Sequence, residues 1–229
     1  MCIISFKLEV NMSKVAYDYM EEYIRGLIPE NEGVLKELED YAKENAVPII
    51  HKEVANFLEF MISVKKPKKI LELGTAIGYS SIFMSLSSKG ECNITTIERD
   101  DKMIEIAKNN IEKYSFKDKI KIIQGDCLEI LKDLEDKYDM IFMDAGKGHY
   151  NEFLPYCLKL LNKDGIIIAD NVLFRGMVAN DELVIRRKIT IVKRMRKYMN
   201  MISDKDNFIT SIIPMGDGIA ITKRRNENA

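Results

Sequence analysis

The chain has 229 residues and 46% hydrophobic content, enough for one large packed domain and too apolar for a disordered segment. Its 35 Lys and Arg nearly cancel its 36 Asp and Glu, for a net charge of -1, so any nucleic-acid partner must be gripped by a local patch rather than by bulk charge. The longest unbroken apolar stretches, such as Gly165 to Ala169, fall far short of the roughly 20 residues of a membrane span, which excludes a helical anchor and predicts a soluble chain.

Four cysteines, Cys2, Cys92, Cys127 and Cys157, are scattered without a Cys-x-x-Cys pair or a His at ligand spacing. Neither a zinc knuckle nor a disulfide framework is implied, and a reducing cytoplasm is the plain expectation. The opening MCIISFKLEV has no basic start and no Ala-x-Ala cleavage site, so it does not read as a signal peptide. Residues 1–12 are expected to be a disordered extension, with Met12-Ser13-Lys14 as a candidate start.

From about Ser13 to Ser63 the pattern is helical. Tyr17, Met20, Tyr23, Ile24 and Leu27 share one face, Leu35, Leu38 and Tyr41/Ala42 repeat the spacing after Pro29, and Val54, Phe57, Leu58 and Met61 follow Pro48. After Pro67 the texture changes to apolar runs at Ile70–Leu73, Ile94–Ile97, Ile120–Ile123, Met140–Met143 and Ile166–Ala169. Helical segments lie between them at Ser80–Ser88, Asp101–Tyr114, Leu128–Leu134 and Tyr150–Leu161. Strand then helix, repeated, predicts parallel strands with right-handed crossovers. A long helix over Glu182–Met199 and two strand-like segments, Phe208–Ile213 and Gly218–Thr222, around Met215-Gly216-Asp217-Gly218 complete the chain. The expected architecture is an α/β, Rossmann-like, doubly wound and mostly parallel sheet of seven strands, ending in an antiparallel hairpin. Residues 13–229 form a single domain, with a helical part at 13–66 and the core at 67–229.

In such a sheet, ligands sit beyond the carboxyl ends of the strands. The first run leads into Glu72-Leu73-Gly74-Thr75-Ala76-Ile77-Gly78-Tyr79-Ser80, where two glycines four apart allow a tight turn into a helix N-terminus. Thr75 in this turn joins Gly74 as a candidate cofactor contact. The second run ends at Glu98, a carboxylate able to accept from both hydroxyls of a ribose, and the third at Gly125-Asp126-Cys127, an acid suited to an adenine amino group. Each alone also fits a plain turn, a solvated acid or a helix cap, and the combination is what points to a nucleotide-like ligand.

The fourth run ends in Asp144-Ala145-Gly146-Lys147-Gly148-His149-Tyr150 and the fifth in Asp170-Asn171. Asp144, Asp170 and Asn171 are three hard oxygen donors at adjacent strand ends, a set suited to one magnesium-like cation with open positions. Lys147 is placed to take a proton beside it. His149 reads as a polar residue at a helix start, since no second His lies near in sequence and His51 is remote.

The segments ILELGTAIGYSS, TIERD, GDCLEIL, IFMDAGKGHY and IIIADNVLFRGMV resemble, in order and spacing, the cation-dependent class I O-methyltransferases that include the catechol and caffeoyl-CoA enzymes, over about Val47 to Arg224. AVPII, DNVLFRGMV and IIPMGDGIAITK look most like the bacterial tRNA 5-hydroxyuridine methyltransferases of that family. The resemblance implies S-adenosylmethionine as methyl donor, contacted at Val47, Glu72, Gly74, Ser80, Glu98, Asp126, Cys127, Asp144 and Tyr150. It also implies metal ligation by Asp144, Asp170 and Asn171, with Asp144 and Lys147 at the chemistry and Lys147 as base. Cys127 replaces the usual Ala. Gly146 stands where relatives carry Ala or Asp, which removes a side chain beside the cofactor and weakens a small-phenol assignment.

A cation at an oxygen favours a substrate with two adjacent oxygens, as in a catechol or in 5-hydroxyuridine, whose 5-hydroxyl lies beside O4. Residues 171–229 carry 12 Lys/Arg against 6 Asp/Glu, net +6, leaving -7 for the first 170. Arg175, Arg186, Arg187, Lys193, Arg194 and Lys197 form the candidate phosphate grip, on or before one helix. The expected activity is methylation of wobble 5-hydroxyuridine in a single-stranded tRNA anticodon loop to 5-methoxyuridine. A small vicinal-oxygen substrate is the first alternative and a non-catalytic adenosyl-binding module the second. A homodimer is expected from the resemblance and the apolar N-terminal helices.

Overall fold

The computed structural model describes residues 15–225, so the expected extension over residues 1–12 lies outside the described residues. Three helices come first: α1 (Asp18–Leu27), α2 (Gly33–Glu44) and α3 (Lys52–Lys65). The core follows as β1 (Lys69–Leu73), α4 (Tyr79–Ser87), β2 (Asn93–Glu98), α5 (Asp101–Lys113), β3 (Ile120–Gln124), α6 (Cys127–Asp133), β4 (Tyr138–Met143), α7 (Tyr150–Leu160) and β5 (Leu161–Ala169). Then come α8 (Ile189–Ile202), β6 (Phe208–Ile213) and β7 (Ile219–Arg224).

All seven strands join one sheet in the order β3-β2-β1-β4-β5-β7-β6. β1 to β5 pair in parallel, and β7 runs antiparallel to both β5 and β6. The order reverses between β1 and β4, which is where a doubly wound sheet opens a crevice at its carboxyl edge. The apolar runs are explained by burial on both faces. Ile70, Met140 and Ile168 pack with α3 and α4 on one side, whereas Leu71, Ile141 and Ile167 pack with α7 and α8 on the other.

Two boundaries differ from expectation. β5 begins at Leu161, so the strand starts in the polar Asn162-Lys163-Asp164 stretch, where only its far half pairs continuously with β4. The expected Glu182–Met199 helix resolves into two short 3-10 turns, Asp181–Leu183 and Arg186–Lys188, before α8. Val184 and Ile185 between the turns are extended, as β-branched residues favour, and the helix begins only at Ile189. Among the described residues no helix is long and apolar enough to cross a membrane, and Cys92, Cys127 and Cys157 are free thiols.

Candidate active site

The glycine turn after β1 is built from left-handed backbone at Gly74, Ala76 and Gly78, with φ of 104°, 44° and 85°. At Gly74 an added Cβ would stand 2.7 Å from the Ala145 Cβ, so the loops after β1 and β4 meet there with room for hydrogen only. Glu98, at the end of β2, accepts from the backbone N–H groups of Ala76 (3.0 Å), Arg99 (2.9 Å) and Asp100 (3.0 Å). These bonds take most of the roughly four acceptor positions of a carboxylate. Glu98 therefore holds the glycine turn as well as facing the crevice.

Asp144 and Asp170 continue the sheet's hydrogen bonding past the strand ends. The Asp144 N–H donates to the Leu73 carbonyl (3.0 Å) and the Asp170 N–H to the Met143 carbonyl (2.9 Å). Asn171 follows in left-handed backbone, φ 58°, and its N–H donates to the Asp170 carboxylate at 2.6 Å. Burial raises both carboxyls above the usual range, and the neighbouring negative charge raises Asp170 further, while Lys147 pulls both the other way. Two acids that repel one another when ionised, with a carboxamide beside them, are the hard oxygen set that a divalent cation would relieve. Among the described residues no three His, Cys, Asp or Glu side chains are arranged to hold a metal, so a site here needs the Asn171 oxygen.

Gly74, Glu98, Asp144, Lys147, Asp170 and Asn171 all line one open cleft of about 870 Å³, within the usual range for a small-molecule site. Other expected contacts do not open on it. Glu72 is fully buried and accepts from the Ser80 and Ser81 hydroxyls, fastening the start of α4 to β1. Burial pushes its carboxyl up to about 6. Thr75 is 1% exposed, with its hydroxyl 2.6 Å from that of Thr96. Tyr150 is also fully buried, its hydroxyl within reach of the carbonyls of Met143 (2.8 Å) and Asp170 (3.1 Å). These three do not line the cleft, and Tyr150 bridges the two strand ends.

Val47 stands half-buried between α2 and α3, its N–H on the Ala42 carbonyl at 2.9 Å. Asp126 caps α6 through the Leu128 N–H (2.9 Å) and pairs with Arg99 (3.4 Å). The Cys127 thiol is pushed up to about 12 by burial and the nearby Asp126 charge, so it stays neutral. A side chain at Gly146 would meet the Phe153 ring at 3.0 Å, and φ there is 66°, so the close approach of α7 also favours glycine here.

The basic candidates separate. Arg175 and Arg187 line the cleft mouth with Lys188. Arg186 is exposed beside them, and Lys193 and Lys197 are exposed one turn apart on α8. Arg194 is engaged by the Gly148 carbonyl (3.2 Å) and Glu152 (3.6 Å). His51 and Asp217 are not marked by the sequence, yet both line the cleft. Neither belongs to a local pattern: folding brings the start of α3 and the β6–β7 turn over the sheet's carboxyl edge.

A doubly wound sheet with a glycine turn after β1, an acid at the end of β2 and a cleft at the switch point defines an enzyme of the nucleotide-cofactor class. Comparison with known proteins makes this specific. A family model described as O-methyltransferase matches residues 28–225. A catechol O-methyltransferase of Niastella koreensis is 30% identical over 176 residues, covering 74% of this chain and 80% of the relative. A caffeoyl-CoA O-methyltransferase of Populus kitakamiensis is 30% identical over 189 residues, 78% of each chain. A solved Staphylococcus aureus structure, provisionally described as a caffeoyl-CoA O-methyltransferase, matches with TM-score 0.83 at 34% identity over 91% of this chain and 100% of that one. A Podospora anserina methyltransferase solved with S-adenosylhomocysteine (SAH) bound matches with TM-score 0.81 at 25% identity, over 91% and 95%. The chain belongs to this O-methyltransferase family and is an S-adenosylmethionine-dependent O-methyltransferase of the catechol and caffeoyl-CoA type.

Proposed function

We propose that this enzyme methylates the 5-hydroxyl of 5-hydroxyuridine at the tRNA wobble position, giving 5-methoxyuridine, with Mg2+ held by Asp144, Asp170 and Asn171. The observation that carries the cation is the pair of acids raised by burial and like charge at the floor of an open cleft, with Lys147 as the positive charge felt by both. A divalent cation there would supply Lewis-acid stabilisation of an oxygen anion. S-adenosylmethionine supplies the methyl group as a sulfonium.

The chain's own residues do the rest. Gly74 leaves space for close approach of the adenosyl part, and Glu98 presents its remaining acceptor position to it. Lys147, half-buried on the cleft wall, would as a neutral amine beside a bound cation take the proton of the reacting hydroxyl. Holding nucleophile and methyl in line within a rigid strand-end frame removes much of the entropic barrier. Asp144 and Asp170 are fixed to neighbouring strands by backbone hydrogen bonds, which supplies that rigidity.

Arg175, Arg187 and Lys188 at the mouth support an RNA substrate, whose phosphates would meet them as the base enters. Arg186, Lys193 and Lys197, exposed beyond them, extend the same positive surface. The second reading, a small catechol-like substrate, is supported by the catechol enzyme among the relatives. α1 has no buried residue and exposes Tyr19, Tyr23 and Leu27, which supports the homodimer, testable by light scattering. Nucleoside mass spectrometry of tRNA from a deletion strain tests the substrate. Loss of 5-methoxyuridine with accumulation of 5-hydroxyuridine is expected, and an unchanged profile in an organism that makes it removes the tRNA assignment.

A further inference from the structure

His51 stands at the start of α3 in extended backbone, and its side chain does not cap the helix. Its ring is instead approached by Arg25. The Arg25 Nη2 lies 3.4 Å from His51 Nδ1. Arg25 is itself fixed by a two-pronged pair with Glu53, Nε to Oε2 and Nη2 to Oε1 both at 2.7 Å, and Glu53 is 4% exposed. The β6–β7 turn lies alongside, with the ring's Cδ2 3.6 Å from where a Cβ would stand at Gly216.

A guanidinium has only donors. His51 Nδ1 must therefore act as the acceptor, which assigns the ring proton to Nε2. Among the described residues no protein group takes up Nε2, and His51 lines the same cleft as Asp144, Asp170 and Asn171. The ring lies within electrostatic reach of Asp170 and of Asp217. The structure thus offers an N–H donor in the same cleft as the candidate ligands, with no protein acceptor to satisfy it.

We propose that His51 determines substrate choice by donating its Nε2–H to an acceptor oxygen on the substrate edge that faces away from Asp144, Asp170 and Asn171. This rests on the vicinal-oxygen reading of the site. A catechol bound through its two hydroxyls turns only C–H groups towards that wall. The ring of 5-hydroxyuridine carries the O2 carbonyl para to C5, on the edge where a donor is waiting. His51 therefore favours a pyrimidinedione over a benzene ring, and Arg25 sets the tautomer that makes it a donor.

The test compares methylation of an anticodon stem-loop carrying 5-hydroxyuridine and of catechol, with S-adenosylmethionine and Mg2+, by wild type, His51→Leu and His51→Gln. Loss of one hydrogen bond should raise the KM for 5-hydroxyuridine about tenfold in His51→Leu and lower the ratio of its kcat/KM to that of catechol by a similar factor. His51→Gln, which keeps an N–H donor, should recover most of that loss. Equal losses on both substrates, or no recovery with glutamine, overturn the role of His51 and leave the cation-assisted reading standing. Turnover of catechol with none of 5-hydroxyuridine overturns it too. A wild type that methylates neither probe sinks the vicinal-oxygen reading itself, and the role of His51 falls with it.

Discussion

Glu72 offers a quantitative test of how the cleft is supported from below. It is fully buried, its two oxygens accept from the Ser80 and Ser81 hydroxyls in the first turn of α4, and burial raises its carboxyl from an ordinary 4.5 to about 6. A carboxyl raised in the folded state contributes fully to stability below its ordinary value and loses that contribution as pH climbs through the raised one. At about 1.4 kcal/mol for each tenfold change in proton affinity, ionisation at neutral pH costs the folded protein roughly 2 kcal/mol. Glu72→Gln keeps an acceptor for one serine and a polar atom for the other, and it cannot ionise. Urea denaturation of wild type and variant at pH 4, 5, 6 and 7 should show the stability gap shifting by roughly 2 kcal/mol in favour of the variant, with most of the shift between pH 4.5 and 6. Taking the difference cancels the acids that do not interact with Glu72. A gap that stays constant across this range would refute the buried-acid reasoning.

Asp170→Asn removes one of two acids that burial and like charge hold above the usual range, so the metal-free variant should melt a few degrees above metal-free wild type at pH 8, where the wild-type acid is ionised. The same substitution should reduce the rise in Tm on adding Mg2+, read by differential scanning calorimetry. Gly74→Ala places a Cβ 2.7 Å from that of Ala145 at φ 104°, and should destabilise the fold by about 1–3 kcal/mol while weakening S-adenosylmethionine binding at least tenfold by calorimetry. For tRNA, Arg175→Ala with Arg187→Ala should lower affinity and flatten its salt dependence by about one unit of slope for each phosphate no longer gripped. Arg194→Ala should act mainly on stability, because that side chain is already engaged by Gly148 and Glu152.

Much of this architecture is legible because parallel strands buried on both faces appear as short apolar runs. Ile70–Leu73, Ile94–Ile97 and Met140–Met143 mark β1, β2 and β4, and the residues just beyond them have to lie at the carboxyl edge. The same logic brings Gly74, Glu98, Asp144, Asp170 and Asn171 to one cleft. Position along the chain does not by itself give a side chain's direction, which packing sets. Glu72, Thr75 and Tyr150 lie at strand or helix ends, yet their polar atoms are spent on Ser80, Thr96 and the carbonyls of Met143 and Asp170. The start of α8 escapes a sequence reading because the charged Arg186-Arg187-Lys188 run is compatible with a helix, whereas the extended Val184 and Ile185 before it delay the helix to Ile189. His51 and Asp217 are not legible because only long-range closure of α3 and the β6–β7 turn brings them over the sheet.

Methyl transfer to an anticodon stem-loop carrying 5-hydroxyuridine, measured after chelation and again after adding back Mg2+, addresses the account at its centre. Turnover that vanishes on chelation, returns with the cation in wild type and fails to return in Asp170→Asn or Asn171→Ala is the predicted result. Full turnover in the absence of any divalent cation, with both variants as active as wild type, would contradict it.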